Sequence, residues 1–120
     1  MDFKKPSEQT IKFLDEKLIN FNAQRKKMFG SPVYFVNNNM FSGVYGDDIF
    51  IRLNEENQKE FYSKFSDTTK FSPMGKTMKE YVVIPKSLYD NENILYEWFN
   101  ISFNFVLSLP TKEKKLKRKS

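Results

Sequence analysis

Apolar side chains recur at helical spacing at the start of the chain, change to strand-like runs in its middle, and return to helical spacing at its end. Ile11, Leu14, Leu18 and Phe21 fall at i, i+3, i+7 and i+10 with charges between them. With Ser7 as N-cap behind Pro6, this spacing predicts an amphipathic helix from Ser7 to Phe21. Arg25-Lys26-Lys27 then reads as a connecting stretch into Met28-Phe29-Gly30-Ser31-Pro32, where Gly and Pro mark a change of element. Val33–Val36, Met40–Tyr45 and Ile49–Leu53 are β-branched and aromatic runs, separated by Asn37-Asn38-Asn39 and Gly46-Asp47-Asp48. Connectors that short join only antiparallel neighbours, so the three runs predict a meander. In its third strand Ile49, Ile51 and Leu53 share one face and Phe50 takes the other, where it needs cover from a helix or a second protomer.

Asn54 followed by Glu55-Glu56 has the form of a helix start, since Asn caps well and carboxylates suit the positive end of the helix dipole. This helix extends to about Phe65, with Phe61 and Phe65 on one face. Ser66 to Met78, containing Pro73 and Gly75, reads as loop, and Lys79–Ile84 as a fourth strand stopped by Pro85. Asp90 or Asn91 opens the last helix, in which Ile94, Leu95, Trp98, Ile101, Ser102, Phe105 and Leu109 form a broad stripe. Phe99, Phe103 and Val106 widen that stripe to most of the circumference, so the helix is expected to be central or buried in an oligomer interface. The expected fold class is α+β: an antiparallel β-meander plus a further strand, packed with an N-terminal, a middle and a long C-terminal helix. One domain over residues 1–109 and a tail over 110–120 account for the chain.

Charge sharpens that division. Of 20 basic and 15 acidic residues, residues 1–27 carry seven and four, residues 28–109 seven and ten, and residues 110–120 six and one. The body is therefore mildly acidic and the tail strongly basic. Lys112, Lys114, Lys115, Lys117, Arg118 and Lys119 repel one another and leave a single apolar residue among them, so this segment is expected to be extended and solvated. Counterion release from nucleic acid would give it a weak, non-specific contact with DNA, and a solubilising role is the plainer reading. No aromatic interleaves these residues, which argues against base stacking.

Two absences limit the chemistry. With no Cys, disulfide scaffolds, thiolate metal sites and Cys nucleophiles are excluded; with no His, the commonest general acid–base group is missing. Asp47-Asp48 reads as turn chemistry and Glu55-Glu56 as a helix start, and the glycines form no phosphate-cradling pattern. The expectation is a protein without catalytic, metal or cofactor residues. Aromatics on the meander (Tyr34, Phe35, Phe41, Tyr45, Phe50) suggest core packing or an oligomer contact over an RNA-binding sheet, because basic neighbours are few. No stretch resembles a signal peptide or a membrane span, so a cytoplasmic protein with no membrane contact is expected.

The linear order of motifs resembles a known family. Met28-Phe29-Gly30 follows a basic stretch; Met40-Phe41 follows an Asn-rich turn; then come Asp47-Asp48-Ile49-Phe50-Ile51-Arg52-Leu53 and Asn54-Glu55-Glu56-Asn57. Met78–Pro85, Leu88, Asp90 and Glu97-Trp98 complete the set. Over about residues 10–109 this is similar to the N-terminal domain of the TfoX/Sxy family, here without the helical C-terminal domain of its two-domain members. The resemblance implies an α+β domain without known enzymatic activity, linked to DNA-uptake competence beside a CRP-type transcription activator. On that reading the chain is a regulatory or adaptor module, and its partner is a CRP-like activator or the transcription machinery. Phe50, Trp98, Phe99 and Phe103 are its candidate partner interface, and a homodimer is a further expectation. The alternative is a small-molecule-binding or enzymatic domain with an aromatic-lined pocket between sheet and helix.

Overall fold

The computed structural model describes residues 5–28 and 30–111. Among them, in chain order, are α1 (Glu8–Leu18), β1 (Gln24–Met28), β2 (Ser31–Val36), β3 (Asn39–Tyr45) and β4 (Asp48–Arg52). After these come α2 (Glu55–Lys64), β5 (Thr69–Lys70), β6 (Tyr81–Val83) and α3 (Glu92–Ser108), with short 3₁₀ turns at Pro73–Gly75 and Lys86–Leu88. The strands form one antiparallel sheet in the order β1-β2-β3-β4-β6-β5. The fold is α+β, with helices at the start, middle and end of the chain.

Local chemistry sets the element ends. Ser7 Oγ accepts from the Thr10 N–H, Asn54 Oδ1 from the Asn57 N–H at 2.7 Å, and Asn91 Oδ1 from the Ile94 N–H. Each cap satisfies a donor that the first helical turn leaves orphaned. Of the two candidate caps for the last helix, Asn91 is the one used. The β2–β3 connector is tighter than its three asparagines predict: Asn37 and Asn38 make the turn at φ 52° and 65°, and Asn39 already belongs to the strand. Asparagine tolerates this left-handed conformation, and positive φ at both turn residues matches the twist of the flanking strands.

All three helices lie on one face of the sheet. Leu14 and Leu18 of α1, Phe61 of α2, and Leu95, Trp98, Phe99 and Val106 of α3 join Ile49, Ile51, Leu53 and Val82 in one buried cluster. Trp98 meets Phe61 edge-on at 4.9 Å between centroids, which docks α2 against α3. Phe41 and Val44 both belong to this cluster although they are three residues apart, which breaks strand alternation. A register shift, with Tyr34 opposite Ser42 but Phe35 opposite Met40, absorbs the extra residue as a bulge.

The other face holds a smaller cluster of Val33, Phe50, Phe71 and Tyr81. Phe50 is covered, but by neither a helix nor a second protomer. Its ring lies over Gly43, its cross-strand partner, and stacks on Phe71 at 4.2 Å and 18°. Phe71 arrives from the segment between α2 and β6, which folds back as β5 and is closed by the Met78 N–H donating to the Phe71 carbonyl at 2.9 Å.

Two strands depart from the sequence expectation. Arg25-Lys26-Lys27, read as a connector, is the centre of β1, and Thr69–Lys70, read as loop, is β5. Every residue of both is exposed, so neither carries the alternation that marks a half-buried strand; pairing with a neighbour alone makes them strands.

The body is tied at both ends of β3. At one end the Ser7 N–H donates to the Gly46 carbonyl at 3.0 Å and Thr10 Oγ1 donates to the Asp47 carbonyl. At the other, Asn39 Nδ2 donates to the Pro110 carbonyl at 3.0 Å.

Candidate interaction surface

The four aromatic interface candidates do not share a surface. Phe50, Trp98 and Phe99 are 3%, 1% and 0% exposed, so the chain's own core encloses them. Phe103 is the one that keeps partial exposure; its ring meets Phe21 and Phe41 edge-on at 5.4 and 5.6 Å. Beside it Leu107, exposed on the last turns of α3, opens onto a groove of about 690 Å³ floored by Ala23, Gln24, Phe35 and the Asn37–Asn38 turn. The breadth of apolar residues on α3 thus has two sources: an inner stripe at Leu95, Trp98, Phe99, Ser102 and Val106, and a flank that borders this groove.

The six basic residues of the tail (Lys112, Lys114, Lys115, Lys117, Arg118, Lys119) lie outside the described residues. Their point of departure does not: the Asn39–Pro110 bond places the end of the described chain beside the Asn37–Asn38 turn, at the rim of the same groove.

The neighbouring sheet edge is basic. Every residue of β1 is exposed, and Arg25, Lys26 and Lys27 follow one another along it. Arg25 reaches back to α1, where Nε and Nη2 donate to the two carboxylate oxygens of Asp15 at 2.9 and 3.1 Å. Tyr34 of β2 donates its hydroxyl to the same carboxylate. Burial first, and the Asp15 carboxylate second, push the Tyr34 hydroxyl up to about 12. Lys26 turns to the opposite face of the sheet, its ammonium 5.0 Å from the centre of the Phe35 ring. Sequence reasoning missed this edge. The available signal was the two-residue Phe29-Gly30 spacing between Met28 and Ser31, a hairpin length, in a stretch whose lysines mask its extended character.

A second cleft, about 410 Å³, lies between α2 and the start of β6. Glu55, Gln58 and Tyr62 line one wall, and Lys70, Lys79 and Glu80 the other. The Tyr62 hydroxyl is buried there with no partner among the described residues, and burial raises its pKa. The Lys70 ammonium sits 5.7 Å above its ring. This cleft is polar and lies at the surface, whereas the space between sheet and helices, where an aromatic-lined pocket was the alternative, is filled by Phe41, Trp98 and Phe99.

The carboxylates singled out from the sequence sit in structural contacts. Asp48 accepts from Lys86 Nζ at 3.1 Å, and Glu55 and Glu56 occupy the first turn of α2. Among the described residues no group of three or more His, Cys, Asp or Glu could hold a metal ion, and no helix is long and apolar enough to cross a membrane.

One sheet with all three helices on one face defines an α+β domain. Residues 21–106 match the model of the TfoX N-terminal domain, and the chain belongs to that family. The match begins just before β1 and ends within α3, so it takes in the whole sheet, the basic edge included. A comparison with curated proteins finds no match. The TfoX N-terminal domain is not a known enzyme family, and membership suggests a competence-related regulatory domain.

Proposed function

We propose that this chain is a non-enzymatic regulatory module that acts by binding a protein partner, a CRP-like activator or another component of the transcription machinery. The family match over residues 21–106 carries this reading. The residue inventory supports it, since a chain without His or Cys lacks the side chains that most acid–base, thiol and redox chemistry requires. The partner surface is the groove beside Phe103 and Leu107 together with the adjoining sheet edge, in place of the enclosed Phe50, Trp98 and Phe99. The basic residues 112–119 add a weak, salt-sensitive attraction to DNA near the bound partner.

The test is affinity capture with tagged protein from a nuclease-treated lysate, read by mass spectrometry against a Phe103→Ala, Leu107→Ala variant. Stoichiometric recovery of a transcription regulator or polymerase subunit by the wild type, and its loss in the variant, is expected. Recovery of the protein alone would overturn the reading.

A further inference from the structure

We propose that the β1 edge receives an acidic, extended segment of the partner as an added antiparallel or parallel strand of the sheet. This rests on the protein-partner reading above and specifies its mode of recognition. Three observations carry it.

The first is backbone geometry. Met28 and Ser31 pair across a two-residue connector, and such a connector is closed by a hydrogen-bonded pair. Alternation along the ladder then makes Lys26–Val33 and Gln24–Phe35 hydrogen-bonded pairs, and leaves Arg25 and Lys27 opposite their partners without mutual bonds. The N–H and C=O groups of Arg25 and Lys27 consequently point out of the sheet, at the spacing an incoming strand requires. Pro32, opposite Lys27, fits the same alternation, because its missing N–H falls where no bond to β1 is made.

The second is charge. Lys26 and Lys27 are exposed with no acidic residue in the strand, and Arg25 beside them, although paired with Asp15 of α1, keeps part of its side chain at the surface. A second copy of the chain does not suit this edge: in any two-fold antiparallel pairing centred on these three residues, cations face cations across the strands. The chain's own residues 110–120 carry six basic residues to one acidic, so their charge does not complement this edge either. A segment with carboxylates at alternate positions complements the edge. Basic residues on an edge also discourage self-association, and the same charges that reject a like strand select an acidic one.

The third is rigidity. Arg25 is held on Asp15 by two hydrogen bonds, and Asp15 also holds Tyr34 on the neighbouring strand. These contacts pin the edge to α1 in its extended form before any partner arrives, which lowers the ordering cost of strand addition.

The experiment is an amide hydrogen-exchange NMR titration of the full chain with a peptide of alternating Glu and Thr, with a Lys/Thr peptide and a short DNA duplex as comparison ligands. At a concentration ten times its Kd, the acidic peptide is expected to slow exchange at the Arg25 and Lys27 amides about tenfold, with little effect at Lys26. Lys27→Pro removes an outward N–H and no bond to β2, so it should abolish that protection. Lys27→Ala removes only the charge and should weaken it. Equal effects of Lys27→Pro and Lys27→Ala, or stronger binding of the duplex than of the peptide at the same residues, would overturn the proposal and assign the edge to charge alone. No protection at millimolar peptide would overturn it too. A natural partner captured equally well by wild type and Lys27→Pro would remove the strand-addition inference and leave the regulatory-module reading standing. Peptide protection without any captured partner would do the reverse.

Discussion

Replacing Gly43 by alanine is a direct probe of how the outer face of the sheet is packed. The backbone there is ordinary extended strand, so the added methyl meets no conformational strain of its own. What it meets is occupied space. A Cβ would stand 2.7 Å from Phe50 Cζ, 2.7 Å from Val33 Cγ1 and 3.1 Å from Phe50 Cε2. The Phe50 ring cannot swing aside cheaply, because it is stacked on Phe71 at 4.2 Å and meets Tyr81 edge-on at 5.8 Å. Overpacking of this kind costs about 1–3 kcal/mol, against which the loss of glycine's freedom in the unfolded chain returns roughly 0.4–1. A net destabilisation of about 1–2 kcal/mol follows, a fall in Tm of roughly 3–8 °C for a chain of this size. Urea and thermal unfolding measure it. Phe50→Leu in the Gly43→Ala background should cost less than the two single changes together, since the shorter side chain removes the clash. A Gly43→Ala protein as stable as the wild type, or strictly additive changes, would refute the argument that Phe50 occupies the space over Gly43.

Three further outcomes are expected. Ser102→Ala removes the bond from Ser102 Oγ to the Arg52 carbonyl, 2.7 Å long at a residue with no exposure, and should lower the urea-derived stability by about 1 kcal/mol. Asn54→Ala removes the α2 cap and should cost about 1 kcal/mol, with the first α2 amides exchanging faster in NMR. Tyr34, Tyr81 and Tyr89 are each pushed from 10.0 to about 12, chiefly by burial, so the folded state holds protons that the unfolded chain releases first. Their contribution is therefore complete below about pH 10 and is lost as pH rises towards about 12; urea midpoints that stay level across this interval would contradict it.

The sheet's centre and the helix-side core were legible because their burial is one-sided. Ile49, Ile51 and Leu53 alternate with Phe50 and Arg52, and Leu14 with Leu18 repeats at a helical turn, so position in sequence maps directly onto a face. The caps at Ser7, Asn54 and Asn91 were legible for a local reason, since a cap depends only on residues three positions away. The edge strands were not. β1 has no buried residue, and its character comes from hydrogen bonds to β2 that leave no trace in side-chain type. The cover over Phe50 was hidden for a related reason: Phe71 lies 21 positions away in a weakly patterned segment, and only the β5–β6 pairing brings it back. The same failure moved the candidate surface. Phe50 looked in need of a partner because the segment that covers it was not visible as a strand, and the basic edge was read as a connector; Trp98 and Phe99, by contrast, are enclosed by elements the sequence did predict, among them α2 with Phe61.

The anchoring of Ser7 at Gly46 and of Pro110 at Asn39 has a mechanical consequence. These contacts lie at opposite ends of β3, about 20 Å apart along a seven-residue strand. Tension applied through the two ends of the chain would reach this central strand only through these few hydrogen bonds, so the ends would come away before the bonds of β3 to β2 and β4 are loaded.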